Sequence, residues 1–236
     1  MMSRILQSDF LKLKRKGIWF LVILGPVGVI SLQAVNYGLR YDYLVNGNSD
    51  VWAGLLSQIR GFVAITLLLG IAILSSLTAN LEHQTNAWKQ ILTLPISRWS
   101  VFTAKFTLNA FMLLISCILL VLGTIILGLI LGFGTGFPTL DILKVSFYPF
   151  FAALPILALQ LWLSVTLTNQ GIPLAIGVFG AIFSAYSFTL PDWLIWKWPL
   201  LQNDWGEPIW NVVLGIVVGV LVYSISVLDF MRRDVK

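Results

Sequence analysis

Charge is what this chain has least of. Only 11% of its 236 residues are Asp, Glu, Lys or Arg, less than half of the roughly 25% usual in a soluble domain. Ten acidic and 15 basic side chains must serve the whole polar surface, so that surface is small. The one cysteine, Cys117, excludes an internal disulfide framework and a cysteine-based metal centre. The one histidine, His83, excludes a multi-histidine site. No G-x-x-x-x-G-K-[ST] phosphate cradle occurs, and no hydrophilic stretch is long enough to fold into a nucleotide-binding domain. The Glu82-His83 pair is isolated and inverted relative to H-E-x-x-H, and nothing in its spacing supports Ser-His-Asp catalysis. Neither catalytic residues nor a metal site is expected.

What fills the chain instead is apolar: 58% of residues are hydrophobic and the mean hydropathy is +0.90. A bilayer core of about 30 Å takes roughly 20 apolar helical residues. Six uncharged runs approach that length: 18–35, 61–79, 108–131, 147–167, 172–190 and 209–228. The fold class expected is all-α integral membrane, with six transmembrane helices in one domain over residues 1–236. The first run is too long for a signal-peptide core and lacks a small-residue cleavage site, so it reads as a retained helix. No span holds an ionisable side chain, which argues against coupling to an ion gradient. The polar groups left to line a path are hydroxyls, among them Thr66, Ser75, Ser76 and Ser164.

Basic residues in short loops set orientation. With six spans, 11 of the 15 basic residues fall on the side of the two termini and 4 on the other. Both termini are therefore expected in the cytoplasm. The net charge of +5 follows from this asymmetry and from attraction to anionic lipid, with no nucleic-acid partner implied. Ahead of the first span, Ile5, Leu6, Phe10 and Leu13 recur at helical spacing among basic residues, the pattern of an interfacial amphipathic helix. A short basic tail is the alternative. Gly25-Pro26 in the first span and Pro149 and Pro155 in the fourth predict kinks. Only Thr168 to Gly171 joins the fourth and fifth spans, so they must form an antiparallel pair. Trp193, Trp196, Trp198, Trp205 and Trp210 put five of the ten tryptophans into an 18-residue outer segment leading into the last span, as an aromatic belt or a short re-entrant element, with a ligand-binding aromatic patch as the alternative. Gly128 and Gly132, and Gly215 and Gly219, form small-xxx-small pairs that suit helix packing or dimerisation.

The segment between the second and third spans carries the functional signal. Asn80 suits a helix cap, Glu82 a first turn, and Pro95 a stop. Trp88, Ile91, Leu92 and Pro95 recur at i, i+3, i+4 and i+7, an apolar stripe with Lys89 beside it. Such a stripe must be buried against lipid, against the bundle, or in a groove of a soluble partner.

Glu82-His83, then Trp88-Lys89, Leu94-Pro95-Ile96-Ser97-Arg98 and Lys105 leading into the third span resemble the loop after the second helix of type 2 ABC exporter permeases. With Asp9-Phe10-Leu11-Lys12-Leu13-Lys14-Arg15 and Asn36-Tyr37-Gly38-Leu39-Arg40-Tyr41-Asp42-Tyr43, the chain is similar to the branch that protects bacteria against lantibiotics and bacitracin-like peptides. The resemblance implies a bacterial cell-membrane subunit without enzymatic activity of its own. It would pair with a second copy or a related permease, and ATP and Mg would be bound by a separate ATPase. The loop would be the cytoplasmic coupling helix, with Glu82, His83, Trp88, Lys89, Ile91, Leu92 and Pro95 in it, and the cargo an amphipathic peptide antibiotic or lipid-like compound. The competing reading is a standalone channel, carrier or membrane scaffold.

Overall fold

A computed structural model describes residues 2–13, 17–46, 50–84, 97–187 and 191–232. Of these, 84% are helical and none lies in a strand. The helices are α1 (Met2–Leu13), α2 (Ile18–Asn46), α3 (Val51–Gln84), α4 (Arg98–Ile130), α5 (Thr139–Ala152), α6 (Leu154–Thr166), α7 (Gly171–Ala185) and α8 (Ile209–Arg232). Among the described residues α2, α3, α4 and α8 are each long and apolar enough to cross a bilayer, and α5 with α6, bent by 44° at their junction, is long and apolar enough only if the pair is taken together, so the candidates number four or five against the six runs of the sequence. The bend sits where the sequence places Pro149 and Pro155: Ala153 ends one helix and Pro155 opens the next. α7 is apolar but only 15 residues long, about 22 Å at 1.5 Å per residue.

The first two crossings are longer than their apolar runs. Residues 36–60, expected as an outer loop, are mostly helix, because α2 continues to Asn46 and α3 starts at Val51. Periodicity explains the difference. Tyr37 and Leu44 on α2 pack with Trp52, Leu55, Leu56 and Ile59 on α3, so each helix has one buried stripe despite Arg40, Asp42 and Arg60 on its other faces. Helical backbone angles continue through Gly25-Pro26, and the non-helical residue of α2 is Arg40, with φ −131°, where the helix is broken by a kink that the sequence reading did not place. Pro26 has no N–H to give the Val22 carbonyl one turn back, and Ser116 Oγ of α4 donates to that carbonyl at 2.7 Å.

α1 lies against α4, with Phe10 stacked on Trp19 and edge-on to Phe111. α6 and α7 form the expected hairpin, Gln160 Nε2 donating to Pro173 O at 2.7 Å, although α7 packs chiefly on α3, where Gly177 sits against Ala72.

The glycine pairs act within the chain. Gly215 lies against the backbone of Phe151 and Ala152, and Gly219 against Leu154 and Pro155, so α8 clasps the bend. Gly128 lets the Trp52 ring rest on the α4 backbone. Gly132 has a different task. At φ +81° it ends α4 in a Schellman turn, its N–H donating to Leu129 O at 3.1 Å and that of Phe133 to Gly128 O at 3.0 Å.

The tryptophan-rich segment divides in two. Trp196 closes on Gly180, and Trp198, with Leu201, packs on Ala152 and Val212. Trp193 and Trp205 are exposed, as an interfacial anchor requires. Lys197 Nζ pairs with Asp192 Oδ1 at 2.7 Å, the Trp198 indole N–H donates to Asp192 O at 2.7 Å, and the Asp204 N–H donates to Asp192 Oδ2 at 2.8 Å. Those donors, Lys197 first and Asp204 second, hold the Asp192 carboxyl below the usual aspartate range.

Candidate functional site

The end of the bundle where α3 stops and α4 starts is where polar side chains gather inside. Ser75, Thr78 and Glu82 lie at i, i+3 and i+7 on one face of α3, opposite Lys105 and Asn109 at i and i+4 on α4. Glu82 Oε1 and Lys105 Nζ are 2.8 Å apart with both side chains only 3% exposed. Around this pair Lys105 Nζ reaches Thr78 O at 3.5 Å, and Asn109 Nδ2 donates to Thr78 Oγ1 at 3.1 Å and to Lys105 O at 2.9 Å. A carboxylate in the last turn of a helix opposes the dipole, and the ammonium of Lys105 is what makes Glu82 tolerable there.

A second layer ties in the remaining helices. His83 Nε2–H donates to Ser164 O of α6 at 3.2 Å. Gln170, in the α6–α7 turn, donates to Ser164 O at 2.8 Å and Leu167 O at 2.6 Å, and accepts from Ser76 Oγ at 3.3 Å. The Trp162 indole donates to Asp229 Oδ2 at 2.8 Å, Thr103 shares a 2.6 Å hydrogen bond with Tyr223, and Arg98 donates to Met231 O at 3.2 Å. The ends of α3, α6 and α8 and the starts of α4 and α7 thus meet in one polar girdle. Within it Ser75 Oγ, Asn109 Oδ1 and Ser164 Oγ are buried without a hydrogen-bond partner among the described residues, each at a cost of about 1–3 kcal/mol.

Two expectations change here. Asn80 does not cap a new helix: α3 runs through it to Gln84, because burying Glu82 against Lys105 extends the helix inward. Glu82 therefore faces the bundle, not a surface where a partner would sit, and His83 likewise turns to α6. Trp88, Lys89, Ile91, Leu92 and Pro95 lie outside the described residues. On the far side Ser97 caps α4, its Oγ accepting from Ser100 N at 3.3 Å. Lys105 and Asn109 were visible in the sequence only as a loop charge and a polar residue; their four-residue spacing at the mouth of an apolar helix was the signal that they share a buried face. Among the described residues no group of three or more His, Cys, Asp or Glu could hold a metal ion.

A second feature lies deeper. Between α2, α3 and α4 is a cavity of about 60 Å³, its wall dented by Gly25, Pro26 and Gly70 and otherwise apolar apart from Thr66, Ser116 and Ser146. The girdle suits the passing of force between helix ends, and the cavity suits contact with an apolar chain.

No match was found among curated proteins or solved structures. A family model does match: residues 5–184 fit that of the ABC-2 family transporter protein. The match takes in α1 through α7 and with them the α3–α4 girdle. Covering about three quarters of the sequence, it establishes that this multi-pass membrane chain belongs to the ABC-2 transporter family.

Proposed function

We propose that this chain is the permease subunit of an ATP-driven exporter in a bacterial cell membrane, working as a homodimer or beside a related permease. ATP and Mg are bound by a separate ATPase, which seats the segment carrying Trp88, Lys89, Ile91, Leu92 and Pro95. The bundle crosses the bilayer six times, with α5 and α6 as one broken span, α7 as a short one, α1 on the inner leaflet and both termini in the cytoplasm. The single observation that carries the coupling role is the buried Glu82–Lys105 pair: it locks together the two helix ends from which that segment departs. Force applied to the segment then reaches α3 and α4 as a unit, and α6 and α8 through His83 and Arg98.

The three buried polar atoms that find no partner among the described residues support a bundle that repacks, since a second arrangement can satisfy them. The cargo is an amphipathic peptide antibiotic of the lantibiotic or bacitracin kind, or a lipid-like compound. Spans free of charge and rich in large side chains favour such molecules over a hydrated ion. The test is Trp88→Asp in the reconstituted complex with its ATPase. Export should fall to background while the protein remains inserted. Undiminished export refutes the coupling role, and transport by the chain reconstituted alone favours a standalone channel or carrier.

A further inference from the structure

At the opposite end of the bundle, the first turns of α3 and α5 enclose a cavity of about 260 Å³ lined by Asp50, Ser57, Arg60, Asp141 and Lys144 over Leu56 and Val145. We propose that this cavity binds the headgroup of a zwitterionic phospholipid bearing a phosphate and a primary ammonium. Asp50, Ala53, Ser57 and Arg60 fall on one face of α3, and Pro138, Asp141 and Lys144 on one face of α5, so the two faces form facing walls. Both helices run inward from this end. On each wall the acid comes first and the cation follows, Asp50 above Arg60 and Asp141 above Lys144.

That order matches the ligand. In a membrane the lipid phosphate lies nearer the hydrocarbon and the ammonium nearer the water. Arg60 marks the depth, because the first uncharged run of α3 begins at the next residue, Gly61. Arg60 makes no ion pair or hydrogen bond with any described residue, and its planar fork suits a phosphate. Lys144 pairs with Asp141 at 3.3 Å with both side chains more than half exposed, a bond weak enough to exchange for a phosphate oxygen. Asp50 already accepts from the N–H groups of Trp52 and Ala53 through Oδ1, which fixes the carboxylate at the cavity rim. Leu56 and Val145 are buried and supply an apolar floor. The volume lies just below the roughly 300 Å³ at which small-molecule pockets begin, which suits a headgroup and not a whole lipid.

The experiment uses the full chain purified in detergent, titrated with phosphatidylethanolamine, phosphatidylglycerol or inorganic phosphate, and read by native mass spectrometry. Phosphatidylethanolamine should be retained in preference to phosphatidylglycerol. Arg60→Gln should weaken its retention by about tenfold or more, the loss of a charge-assisted fork contact. Asp50→Asn with Asp141→Asn should leave lipid bound but abolish the preference; asparagine keeps the helix cap. Inorganic phosphate should displace nothing. Should Arg60→Gln fail to fold, Arg60→Lys, which keeps the charge and loses the fork, should bind with an intermediate deficit. Equal retention of both lipids, indifference to the Arg60 substitutions, or displacement by phosphate alone overturns the proposal.

Discussion

Replacing Lys105 by methionine keeps most of the side-chain volume and removes the charge that faces Glu82. Both side chains are 3% exposed and their charged atoms are 2.8 Å apart, so the glutamate that remains cannot recover its hydration without opening the helix ends. Breaking one half of such a buried pair costs about 3–5 kcal/mol. Replacing both halves, as in Glu82→Leu with Lys105→Met, is expected to be near neutral, because the desolvation of both charges disappears together. The two single losses should therefore far exceed the double loss, with a coupling energy at or above about 3 kcal/mol, the top of the range for contacting residues. Equilibrium unfolding in mixed micelles, followed by tryptophan fluorescence, measures all four corners of the cycle. A Lys105→Met protein within about 1 kcal/mol of the native one would mean that water reaches the pair, and both the burial argument and the mechanical role built on it would be lost.

Three further outcomes follow from the same geometry. A methyl group at Gly215 would meet the Ala152 Cα and Phe151 O at 2.5 Å; Gly215→Ala should cost about 1–3 kcal/mol by overpacking, whereas Gly28→Ala, with nothing within 4 Å, should cost nothing in the same melting assay. Ser116→Ala should destabilise by about 1 kcal/mol in the native background and by almost nothing when Pro26 is alanine, since the helix then satisfies Val22 itself. The depressed Asp192 carboxyl contributes stability that is complete above the ordinary aspartate value near 3.9. It is lost only as pH falls through the lower folded-state value. Quenching of Trp198, buried with its indole on the Asp192 carbonyl, should therefore stay constant from neutral pH down to about 4 and rise below it, and Lys197→Met should move that rise to higher pH.

Much of this architecture was legible in the apolar runs, because a bilayer allows few ways to satisfy a backbone. The long helices α2, α3, α4 and α8 and the proline break before α6 follow directly. The reading failed where polar residues sat on helices that are only half buried. Arg40, Asp42 and Arg60 made residues 36–60 look like a loop, yet Tyr37, Leu44 and Trp52 supply the buried stripe that keeps them helical. The same cause hid the girdle. Glu82 reads in the sequence as the first turn of a separate coupling helix and Lys105 as a charge leading into the third span, because a sequence shows charge but not pairing, and pairing across two helices 23 positions apart is a tertiary event. Pro26 is the converse case: the carbonyl that it leaves without a helical donor is met by a hydroxyl, Ser116, 90 positions later.

The clasp of α8 around the bend constrains how the molecule can change shape. Gly215 and Gly219 bring backbone against backbone, a seam with no flexible side chain between the surfaces to absorb sliding. α5, α6 and α8 must then travel together as one rigid wedge. The slack lies across the bundle, where Gly25, Pro26 and Gly70 leave empty space beside α2. Any passage opened through this protein should unzip along that α2 seam, with the wedge as the fixed jaw.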